Sequence, residues 1–227
     1  MSKARDLADF QGSASALTTG TLPVDRVPYV GRRNWIINGD FQVSQRGDYA
    51  TSPVVVGGDA YCVDRWQCSD NAGTDTVQVI NGYLRRTIPS ARSASTYMQT
   101  KVENFNSKFV GQTVTVSGKC NTNSSNLRMW LWQGSWVSVG SISGDFSITY
   151  TVVDSGVGYE NVRFAISDPS NPNTGISAAS GEYFELSEVQ LELGSVATPF
   201  EHRSYGEELA LCQSLVLVVL QQYRNVH

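Results

Sequence analysis

The chain has 227 residues, which suits one large all-β domain with short appendages or two small domains. Its formal net charge is -4 and is spread without large blocks, which argues against nucleic acid or an anionic membrane as the main partner. Met1 to Phe10 is charged and has no apolar core, so we expect no signal peptide. The longest apolar run, Leu215 to Leu220, is too short for membrane insertion.

Residues 1 to 33 differ from the rest of the chain. The first ten residues are compatible with two helical turns, and the small-residue segment after them cannot bury enough apolar area to fold alone. A disordered tail is one interpretation. The spaced aliphatic residues favour the other, a segment ordered by self-association or by docking on a larger body. The predicted oligomerisation residues here are Leu7, Phe10, Leu17 and Leu22.

The stretch N-W-I-I-N-G-D-F-Q-V-S-Q-R-G at 34 to 47 predicts a hairpin. Its strands would be Trp35 to Ile37 and Phe41 to Val43, because Asn-Gly is the strongest two-residue turn signal. Thr51 to Val56 predicts a further short strand. The neighbours Asp64 and Arg65 are most simply interpreted as a local ion pair or an aspartate cap.

Strands continue at regular spacing as far as residue 200. No helical period is found between residues 34 and 200. Asn81-Gly82 predicts one hairpin and Q-G-S at 133 to 135 another, and Thr96 to Val102 is expected to pair with Gln112 to Lys119. Roughly ten strands at this spacing predict an all-β sandwich or barrel. The other predicted strands are 76–80, 83–88, 127–132, 136–142, 146–153 and 161–167.

The longest predicted strand spans Tyr183 to Leu193. Apolar and polar residues alternate strictly on either side of Ser187-Glu188, where the pattern slips by one position and predicts a β-bulge. The acidic residues are interpreted as solvated strand positions, with paired carboxylates of a glycosidase as the alternative. They are Glu182, Glu185, Glu188 and Glu192.

The C-terminal tail opens with a helix start signal. Ser204 and Glu207 form a capping box. The end of the chain is aliphatic on all sides, and its β-branched residues argue against a solvated helix. It must be covered by the domain or by another subunit, and we favour another subunit. The predicted packing residues are Leu215, Leu217 and Leu220.

The residues suited to catalysis or metal binding are few. The four cysteines lack zinc-site spacing, and a disulfide is possible on their number alone. Because no export is expected, we predict reduced, partly buried thiols at Cys62, Cys68, Cys120 and Cys212. The two histidines, His202 and His227, lie in the tail, and no catalytic motif is present. We therefore predict no enzyme activity, no cofactor and no metal. A structural calcium at loop acids such as Asp40 and Asp145 is the alternative.

The cluster M-W-L-W-Q-G-S-W is the strongest candidate for ligand binding. On a strand, Trp130 and Trp132 share one face, and Trp136 stands across the turn. Three indoles around one hairpin form either a core plug or a platform on which sugar rings stack. Tyr159 and the loop at 168 to 175 are expected to line the same rim.

Three segments resemble a known family. The 34–47 stretch looks like the opening of tailed-bacteriophage tail-fibre and related virion proteins, and A-Y-C-V-D-R-W at 60 to 66 resembles a following motif. V-Q-L-E-L-G-S-V-A-T-P-F-E-H-R-S-Y-G-E-E-L-A-L-C-Q at 189 to 213 is similar to their closing signature. The N-terminal S-K-A-R-D-L-A-D-F also looks like the attachment segment of such fibres.

The resemblance implies a jelly-roll β-sandwich like carbohydrate-binding modules, at 34–203. It implies a homotrimer on the virion, made in the host bacterial cytoplasm, whose segment 1–33 attaches to the tail baseplate or another virion protein. Residues 204–227 would then be a tail for subunit packing. The expected function is a tail fibre that binds host-surface carbohydrate. The alternative is a purely structural virion protein, such as a head fibre, decoration or collar protein.

Overall fold

In the computed structural model, the described residues are 33–70, 74–154, 156 and 159–224, without the side chains at 59, 70, 92, 94, 106, 107 and 215–224. Short runs of alternating apolar and polar residues give mostly short strands, as their period of two requires. These are β1 (Val54–Val55), β2 (Gly58–Tyr61), β3 (Trp66–Asp70), β4 (Thr76–Ile80), β5 (Tyr83–Thr87), β6 (Arg92–Ala94), β7 (Thr96–Glu103), β8 (Thr113–Thr122), β9 (Leu127–Trp132), β10 (Trp136–Ser141), β11 (Phe146–Thr151), β12 (Tyr159–Ile166), β13 (Ile176–Ala178) and β14 (Tyr183–Leu193). Two helices accompany them, α1 (Phe105–Phe109) and α2 (Tyr205–Arg224).

The larger strands form two six-stranded antiparallel sheets. The first sheet has the order β1-β4-β5-β14-β8-β11, and the second has the order β10-β9-β12-β7-β3-β2. Strands β6 and β13 form a separate pair. The chain passes repeatedly from one sheet to the other, which is the connectivity of a jelly roll. The prediction of an all-β jelly-roll sandwich is therefore confirmed.

The core lies between the two sheets. Residues of alternate positions in β7, β9 and β12, such as Met98, Met129 and Phe164, are fully buried there. The first sheet contributes Val116, Leu186 and the other inward residues of β8 and β14. Because the sheets bury these positions, the intervening residues of each strand point outward.

A buried ion pair joins the sheets. Arg86 of the first sheet donates to Asp75 at 2.9 Å, and both side chains are fully buried. The same guanidinium donates to the backbone oxygens of Tyr97 and Ser69, at 2.8 and 2.6 Å. Arg86 therefore holds β7 and β3 of the second sheet against the first.

The central strand β14 has the predicted extent and the predicted bulge. Its register against β8 shifts between Ser187 and Gln190, and Glu188 has φ 51°. The freed backbone N–H of Val189 donates to Gly39 at 2.9 Å. A Cβ on Gly39 would lie 2.1 Å from the Val189 oxygen, so only glycine fits there.

The acidic side chains of β14 are less solvated than predicted. Glu185 and Glu192 are buried, and each is satisfied by neighbours. Glu185 pairs with Arg85, while Glu192 accepts from the N–H and hydroxyl of Thr198 at 2.8 and 2.7 Å. The interpretation as solvated positions is wrong for these two, because Arg85 and Asn121 of the neighbouring strands bond to Glu185 and the loop after the strand folds back over Glu192.

Two predicted pairings are wrong. Residues 34–47 form bends and a turn with no strand. Strand β7 pairs with β12 and β3, whereas β8 pairs with β14 and β11, so the expected pairing of 96–102 with 112–119 does not occur. The short helix α1 also lies in a region where we expected none. By contrast, the β4–β5 and β9–β10 hairpins are confirmed.

The 34–47 stretch is held by side chains instead of by a ladder. Asn38 donates to the backbone oxygens of Val43 and Asp64, both at 2.8 Å, and accepts from the Val43 N–H at 3.0 Å. The Asn34 side chain donates to the Val189 backbone oxygen at 3.3 Å and accepts from the Leu191 N–H at 3.1 Å. Asparagine side chains thus supply the partners that a second strand would have supplied.

These asparagines belong to a polar cluster that we call the junction, formed by Asn34, Asn38, Asp64, Glu201, Arg203 and Glu208. Burial alone would raise the pKa of Glu201, but the N–H groups of Asn34 and Arg33 and the Arg203 guanidinium together lower it. Arg203 also contacts Glu208 at 3.2 Å. The junction therefore ties the start of the described chain to the start of α2.

Asp64 and Arg65 do not form the local pair that we predicted. Asp64 accepts from the backbone N–H and the side-chain amide of Gln45, at 3.1 and 2.7 Å, and Arg65 pairs with Glu103. Arg65 has φ 72°, which turns its side chain away from its neighbour.

Helix α2 begins at the predicted capping box. Glu207 N–H donates to the Ser204 hydroxyl at 3.3 Å, and Ser204 N–H donates to the Glu207 carboxylate at 2.9 Å. Its first turns pack through Cys212 against Ile37 and Val43, and the helix continues through the aliphatic run to residue 224. Within the described ranges, neither helix combines the length and the apolar character that crossing a membrane demands.

Two cysteines form a disulfide, which corrects the expectation of reduced thiols. Cys62 and Cys68 lie on the β2–β3 hairpin with their Cα atoms 6.0 Å apart, a spacing that suits the bond. Cys120 and Cys212 are free and buried, as predicted. Burial raises the pKa of each free thiol to about 12.

Candidate functional site

The outward surface of the second sheet carries most of the aromatic residues that we considered for binding. Register across the sheet places Arg163 opposite both Trp130 and Gln99, and Gln99 opposite Gln67. Trp132 pairs with Trp136 across the β9–β10 hairpin. We call this surface the aromatic face; its members are Tyr97, Gln99, Trp132, Trp136, Tyr159 and Arg163, with Lys101 and Arg128 beside them.

The three tryptophans separate into two kinds. Trp130 and Trp132 share the outward face of β9, as predicted, while Met129 and Leu131 enter the core. Trp130, however, is only 1% exposed, whereas Trp132 and Trp136 are half-buried. The latter two rings meet edge to face, with centroids 5.3 Å apart. Trp130 is thus a packing residue, and Trp132 and Trp136 are the rings that a ligand can touch.

Arg163 lies at the centre of the face. Its guanidinium carbon is 3.7 Å from the Tyr97 ring centroid and 4.0 Å from that of Trp136. It donates to the side-chain oxygens of Gln99 at 2.9 Å and Asn173 at 2.7 Å. The stacked cation holds both rings in fixed orientations, so little conformational entropy remains to be lost on binding.

The rim of the aromatic face includes the residues named in the sequence analysis. Tyr159 lies on the same face, with the Lys101 ammonium 5.0 Å from its ring centroid. The loop at 168–175 reaches the face through Asn173, and the Ser95 hydroxyl donates to the Pro172 oxygen at 2.6 Å. These contacts fix the loop beside the rings.

A buried carboxyl lies beneath the rim. Glu160 is 1% exposed, and burial raises its pKa to about 8, although the backbone N–H groups of Trp132 and Asn161 oppose that rise. The Tyr150 hydroxyl is its neighbour from the first sheet. Burial is the main cause that raises the pKa of this phenol, and the Glu160 carboxyl raises it further. Glu160 is therefore protonated at neutral pH and supports the backbone under Trp132.

Sequence reasoning missed the central part of the face. Tyr97, Gln99 and Arg163 carry no motif, and the expected pairing of β7 with β8 hid that β7 lies next to β12. The polar alternation of Tyr97, Gln99 and Lys101 against Met98 and Thr100 is the signal that marks these residues as outward. Recognition of the correct neighbour strand would have placed them beside the tryptophans.

The other candidate residues remain apart from this face. His202 packs edge to face on Phe200, with ring centroids 5.0 Å apart. Asp40 accepts a hydrogen bond from Gln42 at 3.0 Å. No group of three or more His, Cys, Asp or Glu side chains in the described part of the chain is placed to hold a metal ion. The absence of enzyme activity stays a prediction.

The predicted oligomerisation contacts lie outside the described residues or side chains. This applies to the N-terminal set and to the aliphatic run of α2, and also to His227. The residues concerned are Leu7, Phe10, Leu17, Leu22, Leu215, Leu217 and Leu220.

Comparison with known proteins gives likeness in structure alone. No protein-family model matches the chain, and no curated protein matches it. Among solved structures, the carbohydrate-binding module TmCBM61 in complex with β-1,4-galactotriose is similar, with 12% identity, a TM-score of 0.42, and coverage of 72% of this chain and 100% of that one. The CBM22-1 xylan-binding domain of Xyn10C from Paenibacillus barcinonensis is similar at 10% identity and a TM-score of 0.42, covering 74% of this chain and 99% of that chain.

A bacteriophage protein is also among the similar structures. The enzymatically active domain of tailspike protein 4 from bacteriophage CBA120 has 10% identity and a TM-score of 0.39. The match covers 71% of this chain and 21% of that one. Because all three TM-scores lie below 0.5, any function has to be argued from the residues of this chain.

Proposed function

We propose that this chain is a subunit of a homotrimeric bacteriophage tail fibre that binds host-surface carbohydrate on its aromatic face. The chain would reside on the virion, with its N-terminal segment attached to the tail baseplate or to another virion protein. The proposal assigns no catalytic role.

The observation that carries the binding proposal is the half-buried pair of Trp132 and Trp136 on a surface that also carries hydrogen-bonding amides. Sugar rings have apolar C–H faces that lie on flat aromatic rings, and their hydroxyls need donors and acceptors close by. Gln67 and Asn173 supply amides at the edge of the face, and Arg163 holds the Trp136 ring in place. Half-buried indoles next to amides are not required for the packing of an ordinary sheet surface.

The fibre proposal is supported by the segments that resemble virion proteins. The described parts of the stretches at 34–47, 60–66 and 189–213 meet in the junction, where Arg203 donates to Glu201 at 2.8 Å and Asn38 donates to Asp64. Residue 33 therefore enters the domain beside the point where α2 leaves it. This arrangement suits a subunit whose N-terminal and C-terminal segments both pack against sister copies.

Trimerisation would compensate for weak binding at a single face. Three linked sites convert a second and a third contact into intramolecular events, which raises avidity without new contacts. The aliphatic run that ends α2 supports this proposal, because such a run needs cover from water. Native mass spectrometry of the full chain tests it, and a stable monomer at micromolar concentration would contradict it.

The binding proposal is tested by single alanine substitutions on the full chain. Trp132→Ala and Trp136→Ala should each lower binding to host cells or to a glycan array about tenfold or more while the fold is retained, since stacking on an aromatic ring contributes on the order of 1 kcal/mol or more. Trp130→Ala should instead lower stability, because its ring is buried. Tyr183→Ala is the matched control, since Arg85 covers that ring on the first sheet.

If Trp132→Ala and Trp136→Ala leave cell and glycan binding intact, the aromatic face does not bind carbohydrate. The same result would favour a purely structural virion protein, such as a head fibre, decoration or collar protein. Circular dichroism and urea unfolding of each variant separate loss of binding from loss of fold.

A further inference from the structure

The two sheets treat their basic side chains differently on their outward surfaces. On the first sheet, Arg85 pairs with Glu185, and Lys119 pairs with Glu188 at 2.7 Å. On the second sheet, Lys101 lies over the ring of Tyr159 instead. Arg85 and Lys119 of the first surface are therefore paired with carboxylates, whereas Lys101 and Arg163 of the second surface lie against aromatic rings.

The basic groups of the aromatic face keep their positive charge. Within the described ranges, neither Lys101 nor Arg128 has a carboxylate within 4.0 Å, and both side chains are only half-buried. The nearby acid Glu103 is already paired with Arg65. An aromatic ring attracts a cation without cancelling its charge, so Lys101 and Arg128 give this surface local positive charge although the chain as a whole is acidic. The Asp168 carboxyl, whose pKa Arg128 helps to lower from beyond 4.0 Å, offsets part of the charge of Arg128.

The hydrogen-bonding groups are also unbalanced in favour of donors. Arg128 Nε, Trp130 Nε1 and Trp132 Nε1 are buried N–H groups on one strand, and none has an acceptor in the described structure. Across the adjoining β12, Asn161 Oδ1 is an acceptor without a donor. A buried N–H without a partner is destabilising, so these positions favour an added oxygen acceptor.

Arg128 and Trp132 can present their N–H groups to a ligand. Their side chains are half-buried, so each has an exposed part that a ligand can approach, whereas Trp130 is enclosed. Carboxylate and phosphate oxygens are the acceptors that bind such donors most strongly, because the hydrogen bond is assisted by charge.

We infer that the ligand of the aromatic face is an acidic glycan, whose carboxylate or phosphate groups lie beside Lys101 or Arg128 while its sugar rings stack on Trp132 and Trp136. This inference rests on the proposed carbohydrate binding and specifies its chemical class. The shared chemistry is an anionic oxygen group on a sugar, and the two sources are uronic acids and sugar phosphates.

The test uses the full-length chain and matched pairs of polysaccharides. One pair is polygalacturonate and its carboxyl-reduced form, and the other is a phosphomonoester-bearing mannan and its phosphatase-treated form. A panel of neutral glycans and whole host cells accompanies them. We expect at least one acidic member to bind about tenfold or more tighter than its neutral counterpart, with affinity that falls as NaCl is raised.

Charge-removing variants identify the residues. Lys101→Gln and Arg128→Gln should each weaken binding to the acidic member about fivefold or more, and by a larger factor than they change binding to neutral glycans. Lys101→Arg should retain binding. Lys119→Gln is the matched control, because it removes a lysine that is paired on the opposite sheet, and it should have no effect.

The outcomes separate this inference from the proposed function. Binding to neutral glycans that equals or exceeds binding to both acidic polymers, or unchanged acidic binding in Lys101→Gln and Arg128→Gln, overturns the acidic ligand but leaves carbohydrate binding intact. Failure to bind any glycan or any host cell overturns the proposed function, and this inference with it. The carboxylate and phosphate pairs distinguish the two sources.

Discussion

The junction and the aromatic face are both rich in polar side chains, but they use them in opposite ways. In the junction, every buried side-chain oxygen and nitrogen of Asn34, Asn38 and Arg203 has a partner. On the aromatic face, the side-chain groups Arg128 Nε and Trp132 Nε1 have no hydrogen-bond partner in the described structure. A structural cluster requires a hydrogen-bond partner for each buried polar atom. A binding surface can instead retain donors without partners next to half-buried rings, because a ligand supplies the acceptors.

This difference explains why the most recognisable segments are not the candidate site. The motif residues of 34–47, 60–66 and 189–213 face one another and bond to backbone groups. They therefore hold the start of the described chain against the start of α2. The residues that contact solvent on the aromatic face belong to the less recognisable middle of the chain. A resemblance carried by the junction therefore indicates architecture, and the ligand has to be deduced from the face itself.

Substitution of Asn38 tests the structural side of the comparison and has the largest expected effect. Asn38→Ala leaves two carbonyls and one N–H in the junction without their partner, and Ala tolerates the φ of 58° less well. We expect the free energy of unfolding to fall by about 3 kcal/mol or more. Urea unfolding measures it.

The matched control is Asn121→Ala, which removes an exposed amide that donates to Glu185 at 3.0 Å. It should change stability far less than Asn38→Ala. Equal effects of the two substitutions would show that the junction is no more than an ordinary surface network. Glycan binding by the folded fraction should be the same in both variants.

The disulfide links the two regions, because its hairpin contributes Asp64 to the junction and Gln67 to the edge of the aromatic face. Replacing both Cys62 and Cys68 with serine should lower the free energy of unfolding by about 2 kcal/mol, the loop-closure value for a short loop. Unfolding midpoints with and without reductant provide the measurement. Cys120→Ser is the control, and a wild-type midpoint that does not respond to reductant would contradict a stabilising disulfide.

The sequence predicted those features whose signals are local. The β14 bulge, the β9–β10 hairpin and the Ser204–Glu207 capping box each depend on neighbours within a few residues, and the structure contains all three. The sequence did not predict that β12 pairs with β7, because strands about 60 residues apart leave no sign of their pairing in a single sequence.

The same reason explains the errors at 34–47 and at Cys62–Cys68. Asn-Gly indicated a hairpin, but Asn38 instead bonds to Asp64, a residue that the fold brings close. Thiol state was predicted from the expected compartment, whereas the hairpin itself sets the distance between the two sulfurs. The aromatic face was found only through its tryptophans, because Arg163 becomes central only when β12 lies between β9 and β7.

The pH dependence of stability tests whether a buried carboxyl supports the aromatic face, and its expected effect is the smallest at neutral pH. The pKa of Glu160 is about 8 in the folded chain and has its ordinary value of 4.5 in the unfolded chain. Between these values the folded state holds a proton that the unfolded state has lost, so stability should fall as pH rises. The slope is at most about 1.4 kcal/mol per pH unit.

Urea unfolding between pH 5 and pH 7.5 reports on this group, because the acids with lowered pKa titrate below this range and the two free thiols, with an ordinary value of 9.0 and a folded value of about 12, titrate above it. Glu160→Gln keeps an oxygen that accepts from the backbone N–H of Trp132, and it should make the free energy of unfolding nearly independent of pH over this range. Glu188→Gln, on the opposite sheet, should retain the wild-type decline. A wild-type stability that stays level or increases over this range would mean that Glu160 is charged in the fold, and the surface above it would then carry less positive charge than the acidic-glycan inference requires.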